Sequence, residues 1–339
     1  MNKKEKILES LDTVAIEGIT RSLVEMNLVR EIKIEDKGVD ITIAAENVPV
    51  IGNDNYKRRI EEALKGNGGI ENAKIEYVDG KPQQVNEVKN VIAVMSGKGG
   101  VGKSLVAGLL AVALRRRGYQ VGILDGDITG PSIPKMFGLK GQPIAGENGM
   151  LPALSKTGIG VMSINLLLPN EDDAVIWRGP LIGKAITQFW EEVYWGKLDY
   201  LIVDLPPGTA DAPLTVLKTL PVSGTVIIFT PQGLTKMIVR KAVQMAKNMD
   251  IPVLGVVENM SYLYIPEIDK KIEVFGESNA DKMADSSGAP LLAQIPIDTH
   301  LAKLCDDGNI EDYQSDVIEA LGKSINLENA EAKKREAEK

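Results

Sequence analysis

Gly97-Lys98-Gly99-Gly100-Val101-Gly102-Lys103-Ser104 satisfies the pattern GxxxxGK[ST] in full. It follows the apolar stretch Val91–Met95 and precedes a helical pattern, the context in which such a loop cradles phosphates. Its glycines let successive backbone N–H groups turn inward around phosphate oxygens, and the helix N-terminus adds its positive end. Lys103 is expected to reach the β- and γ-phosphates of ATP, and the Ser104 hydroxyl to ligate Mg²⁺. Lys98 is a second lysine inside the loop. A cation there can touch the phosphates of its own subunit, touch those of a facing subunit, or stay solvated.

Two further segments place carboxylates at the ends of apolar strands. In parallel sheets ligands lie beyond the carboxyl ends of the strands, so Leu124-Asp125-Gly126-Asp127 can aim both acids at the phosphates. Asp125 could hold Mg²⁺ through water, and Asp127 could orient or deprotonate the attacking water. The alternative for each is an Asx-turn cap of the following loop. Leu201-Ile202-Val203-Asp204 is an apolar strand closed by a carboxylate, and it suits Asp204 to an outer-shell Mg²⁺ role.

These residues need a scaffold of strands and helices. From Asn90 onward, apolar strands are expected at Val91–Met95, Tyr119–Leu124, Gly160–Ile164, Leu201–Asp204, Gly224–Phe229, Pro252–Val257 and Leu291–Ile295. Helical patterns lie between most of them, at Lys103–Arg116, Leu181–Tyr194 and Leu234–Asn248, and Ile310–Leu321 follows the last. Such alternation predicts an α/β fold: a parallel sheet covered by helices on both faces. Residues 1–80 read as a small α+β domain. Ile7, Leu8 and Leu11 have helical spacing, as do Ile19, Leu23 and Met26. Val29–Ala44 alternates as a hairpin about Asp36-Lys37-Gly38, Asn53 can cap a helix holding Ile60 and Leu64, and Ile75 and Val78 suggest a third strand. Residues 81–89 are expected to be a linker, 90–325 the nucleotide-binding domain, and 326–339 a charged tail.

Lys and Arg total 39 against 47 Asp and Glu, a net charge of −8, so the simplest electrostatic case for nucleic-acid binding is missing. The chain has 1 cysteine, Cys305, which excludes an intrachain disulfide and any metal site built from several cysteines of one chain. That usage fits a reducing cytoplasm. No apolar stretch of about 7–15 residues follows the basic N-terminus, so no secretory leader is expected. No run nears roughly 18 apolar residues, so no membrane span is expected. Cys305 reads as a small core residue, and His300 as a polar residue near a helix start. Met237 and Met245 read as core packing on one helix face, and Arg115-Arg116-Arg117 as cations at a helix C-terminus. Trp177 and Arg178 could line a partner surface or simply pack.

The stretch Ser96–Ser104 resembles the deviant Walker A loop of MinD, ParA, ArsA and the nitrogenase iron protein. Five further blocks narrow the resemblance: Asp127-Ile128-Thr129-Gly130-Pro131-Ser132-Ile133-Pro134, Trp177-Arg178-Gly179-Pro180, Trp195-Gly196-Lys197-Leu198-Asp199-Tyr200, Asp204-Leu205-Pro206-Pro207-Gly208-Thr209-Ala210-Asp211 and Glu258-Asn259-Met260-Ser261. Together they resemble the Mrp/ApbC family of ATPases, described as iron–sulfur cluster carriers, over about Asn90 to Ile310. Residues 1–80 look like the small domain that many members carry in front.

The resemblance implies a nucleotide-dependent homodimer that acts on client apoproteins, with ATP and Mg²⁺ as cofactors and a [4Fe–4S] cluster as a possible third. It implies that Lys98 reaches across the dimer, that Asp127 switches hydrolysis and that Asn259 contacts adenine; read alone, Asn259 is first a strand-end turn residue, whose amide could also pair with a purine edge. The family also carries a Cys-x-x-Cys that binds the cluster between subunits. Here Ile265 and Ile268 stand at those positions, so iron–sulfur ligands are not evident. Two other functions fit the loop: a MinD- or ParA-like positioning ATPase, and a cluster-free, ATP-dependent docking protein. The first calls for an amphipathic membrane helix or a basic DNA surface, and neither Asn326–Lys339 nor the net charge offers one.

Overall fold

The computed structural model describes residues 2–325 except 20, 36–37, 46–47, 49, 68, 128–129, 131, 148, 169–178, 210 and 233–234. The turn residues Asp36 and Lys37, then Ile128, Thr129, Pro131, Trp177, Arg178, Ala210, Leu234 and the tail 326–339 thus lie outside the described residues. Two compact units form. One comprises 1–89 with 142–154 and 188–198; the other comprises 90–141, 155–187 and 199–339.

In the first unit, α1 (Lys3–Asp12) is closed by a capping box of Asn2 and Glu5. The hairpin of β1 (Val29–Ile34) and β2 (Val39–Ala44) is antiparallel, and β3 (Ala73–Val78) joins β2 in parallel. Between them α2 (Asp54–Gly66) starts where the Asn53 side chain accepts the Tyr56 N–H at 2.8 Å. Ile7, Leu11, Ile41, Ile43, Tyr56, Ile60 and Leu64 form the core. The segment with Ile19, Leu23 and Met26 is not the helix its spacing predicts. Ser22 pairs with Ala15 in an isolated bridge and turns follow to a left-handed Asn27, although all three apolar side chains are still buried. Residues 82–85 form a short helix, α3 (Pro82–Val85), where a linker is expected. The inserted stretch 142–154 ends in the two-residue strand β6 (Ala153–Leu154), and Tyr194 of the second insert donates its hydroxyl to the Gly80 carbonyl at 2.8 Å.

In the second unit, β4 (Glu87–Ser96), α4 (Lys103–Arg116), β5 (Val121–Asp125), α5 (Ile133–Met136), β7 (Gly160–Ser163), α6 (Gly179–Glu192), β8 (Lys197–Asp204), α7 (Asp211–Thr219), β9 (Gly224–Phe229) and α8 (Thr235–Asn248) alternate. They are followed by β10 (Val253–Ile265), β11 (Lys270–Ile272), α9 (Ala280–Ser287), β12 (Leu291–Ile297), α10 (Thr299–Asp306) and α11 (Asp316–Ser324). The sheet runs β11-β10-β9-β4-β8-β5-β7, with β12 on β10. β9 is buried at every position, so helices must cover both of its faces, as the apolar strands foretold. Parallel pairing of β5 with β8 sets Asp125 opposite Asp204, and pairing of β4 with β9 carries the loop at residue 97 to the same edge.

Three expectations need correction here. The helix expected over Ile310–Leu321 breaks into a 3₁₀ turn (Ile310–Asp312) and α11, because Tyr313 and Ser315 are extended and Asp316 opens a new helix. Met237 is 57% exposed: the buried stripe of α8 is Val239, Ala242, Val243 and Ala246, and Met237 falls off it. Cys305 is half-buried on α10 rather than a core residue.

Replacing Asn53 with Ala removes the α2 cap. It is expected to cost about 1 kcal/mol of local stability, read as about fivefold faster amide exchange in α2. Unchanged exchange would show that the cap contributes nothing.

Candidate nucleotide site

The loop after β4 is held from several sides. Ser96 donates its hydroxyl to the Lys98 carbonyl at 2.9 Å, and its own carbonyl accepts the Gly208 N–H at 3.0 Å. Gly97 has to be glycine: a Cβ there would lie 1.8 Å from Ile238 Cγ2. Gly102, at φ +77°, ends the loop, and a Cβ on it would lie 2.1 Å from the Asn259 amide nitrogen. α4 begins at Lys103, so its first N–H groups have no intrahelical acceptor and face the loop interior.

Lys103 is 5% exposed and donates to Asp204 Oδ1 at 2.6 Å. Its Nζ also lies 3.5 Å from Asp127 Oδ2 and 3.5 Å from Ser104 Oγ. Asp125 accepts from the Ser163 hydroxyl at 3.0 Å and from the Asp127 N–H at 3.2 Å. The second bond is an Asx turn, so the alternative weighed for Asp125 holds alongside its place in the acidic cluster. Gly126 separates the two acids because its N–H bonds the Asp204 carbonyl at 2.8 Å and a side chain would strike that carbonyl. Burial raises both buried carboxyls above the ordinary range. The charge of Asp204 raises Asp125 further, while Lys103 pulls each back.

Asp204 Oδ2 is buried and has no hydrogen-bond partner, an orphan that a metal-bound water can satisfy. Among the described residues no group of three His, Cys, Asp or Glu side chains could hold a metal ion. The donor set therefore suits Mg²⁺ arriving with phosphate oxygens, for which one or two carboxylates suffice.

Lys98 donates from Nζ to Gln232 Oε1 of its own chain. Asn259 is not past a strand end: β10 runs on to Ile265, and the buried Asn259 side chain donates to the Val101 carbonyl of the loop at 2.8 Å. Three partners escaped the sequence reading: Ser163, Gln232 and Ile238. Ser163 and Gln232 lie at or just beyond the carboxyl ends of β7 and β9, and the strand-end rule applied to every strand would have raised them. Ile238 carries no sequence signal.

The thiol of Cys305 is pushed up to about 11 by burial, with Asp306 adding to it. His300 lies on the same helix five residues earlier, roughly 140° away around the axis, so the two cannot share a ligand. Ile268 is 62% exposed and Ile265 half-buried, at the end of the β10–β11 hairpin.

A family model described as NUBPL iron-transfer P-loop NTPase matches residues 87–326. The chain belongs to this family. A second model, described as iron–sulfur cluster assembly protein, matches residues 4–77. An iron–sulfur cluster carrier protein of Synechocystis is 38% identical over 317 residues, covering 90% of this chain and 90% of that protein. One from Clostridium perfringens is 45% identical over 234 residues, covering 67% and 82%. Among solved structures, a nucleotide-binding protein from Archaeoglobus fulgidus in complex with ADP is 46% identical with a TM-score of 0.62, over 68% of this chain and 91% of that one. No described helix is long and apolar enough to cross a membrane.

The raised carboxyl of Asp125 has a pH consequence. Its ordinary value is 3.8 and the fold pushes it up to about 8, so the folded state holds the proton more tightly. Stability is then lost as pH rises from the ordinary value toward 8. Without nucleotide or Mg²⁺, Asp125→Asn is expected to stabilise the protein by a margin that grows between pH 5 and 8, on the order of 1–3 kcal/mol at the upper end. Melting temperatures of both proteins across that range check it; a margin that shrinks with pH would contradict it.

Proposed function

We propose that the chain is an ATPase that works as a nucleotide-dependent homodimer on client apoproteins in iron–sulfur protein maturation, in the cytoplasm. The observation that carries the ATPase part is the buried Lys103 paired with Asp204 beside Asp127 at the mouth of a complete phosphate loop. Family membership and the names of the relatives support the iron–sulfur part.

In this reading the N–H groups of Gly97–Ser104 bind the phosphates, and Lys103 exchanges Asp204 for phosphate oxygens. Ser104, Asp204 and Asp125 would hold Mg²⁺, which would supply neutralisation of phosphate charge. Asp127, 14% exposed, is the acid with access to solvent, and it orients or deprotonates the attacking water. Lys98 and Lys103 stabilise the charge that develops on the phosphoryl group. Lys98 leaves Gln232 for the partner's nucleotide when two copies meet, and Asn259 sets the loop and contacts the base.

The cluster is cargo, and here the residues do not fit it. Ligation of a cluster takes thiolates, typically four. The chain has one cysteine, a single thiol per protomer. That observation favours a cluster-free form of the proposal, in which the client supplies the sulfur ligands and this chain supplies the ATP-driven docking.

Asp127→Asn is expected to cut ATP turnover about 100-fold while leaving ATP affinity within about threefold. Equal turnover in variant and wild type would contradict the role of Asp127. Anaerobic incubation with ferrous iron and sulfide is expected to leave the wild-type protein without stoichiometric iron or visible absorbance; a stable, coloured, iron-loaded dimer would overturn the cluster-free form.

A further inference from the structure

Glu258, 0% exposed, is a buried carboxylate that the chemistry above does not use. Its Oε2 accepts from the hydroxyls of Ser261 at 2.6 Å and Ser278 at 2.7 Å and from Gln294 Nε2 at 3.0 Å; Oε1 accepts the Asn279 N–H at 2.9 Å. The four donors come from β10 itself, the loop before α9, and β12. Uncompensated burial of a carboxylate costs several kcal/mol, and an apolar side chain would fill the space without that cost. The cluster therefore points to a demand for geometry.

What it fixes is the ground under the phosphate loop. Next to Glu258, Asn259 holds the Val101 carbonyl, and the residue after that, Met260, adopts φ +55°. A methionine in the left-handed region is strained. It sits where the register of β10 on β12 slips between Asn259 and Leu263, and the Glu258–Ser261 bond spans that slip. On the other side, Asn279 donates from Nδ2 to the Pro231 carbonyl at 2.9 Å, and the next residue is Gln232, the acceptor for Lys98. One carboxylate thus lies behind two of the residues that grip the loop, Asn259 at Val101 and Gln232 at Lys98.

We infer that Glu258 is a positioning residue for nucleotide binding, acting through Asn259 and Gln232 rather than by touching the nucleotide. The inference rests on the nucleotide reading above and adds to it a residue that nothing in the loop motif marks.

The test is a double-mutant cycle on the steady-state ATPase, using Glu258→Ala, Asn259→Ala, the pair together, and Glu258→Gln. Each single alanine variant is expected to raise KM for ATP about tenfold with kcat reduced less than threefold. The pair should fall clearly short of the roughly hundredfold product of the two singles, because both variants disturb the same contact at Val101. Glu258→Gln keeps an acceptor for Asn279 but turns an NH₂ toward Ser261, Ser278 and Gln294, and should recover part of the loss. If Glu258→Ala does not fold, Ser278→Ala leaves three donors on the carboxylate and is expected to raise KM about threefold. A normal KM in the Glu258 and Ser278 variants, or a hundredfold loss in the pair, would overturn the inference. Absence of ATP turnover in the wild type would instead overturn the ATPase reading itself.

Discussion

One buried ion pair holds the phosphate loop to the sheet. Lys103 is the first residue of α4 and Asp204 the last of β8, and their 2.6 Å contact joins two segments that are distant in the chain. Both groups are almost fully desolvated, so removing either partner strands a buried charge, at a cost of about 3–5 kcal/mol. The pair is also unfinished: one oxygen of Asp204 has no partner, and Asp127 lies 3.5 Å from the same lysine. Three acids beside one ammonium, with Asp125 pushed up by burial, are poorly satisfied alone. Their electrostatics improve when a metal-bound polyphosphate arrives, because the metal suits the acids and the phosphates suit the lysine.

The glycines follow from the same constraint. Gly97 lets the loop pass under α8, Gly102 lets it close on Asn259, and Gly126 lets Asp125 and Asp127 diverge around the Asp204 carbonyl. Each fits because a neighbour is too close for a Cβ. Close contacts shape the loop at both ends, and a preformed set of N–H donors is what phosphate binding calls for.

The acids and lysines of the site were legible because each sits in a local pattern: a phosphate loop, or a carboxylate closing an apolar strand. The alternation of strands and helices was legible for the same reason, since fully buried strands show as unbroken apolar runs. What the sequence hid depends on distant partners. Ile19, Leu23 and Met26 have helical spacing and are buried, yet Ser22 bridges Ala15 and the chain after it runs in turns to a left-handed Asn27. β10 continues past Val257 because β11 and β12 pair with its polar second half. Glu258, Ser278 and Gln294 converge only in the fold, and nothing in their spacing announces a shared carboxylate. The single cysteine was legible from composition alone, and the structure adds that it is half-buried and that burial pushes its thiol up.

The central claim is that Lys103 is held by Asp204 until a nucleotide takes it. A crystal structure with Mg²⁺ and a non-hydrolysable ATP analogue tests this most directly. Lys103 Nζ is predicted to lie about 3 Å from β- and γ-phosphate oxygens, with Asp204 turned to the metal's water shell. A nucleotide bound elsewhere, with Lys103 still on Asp204, would contradict the account.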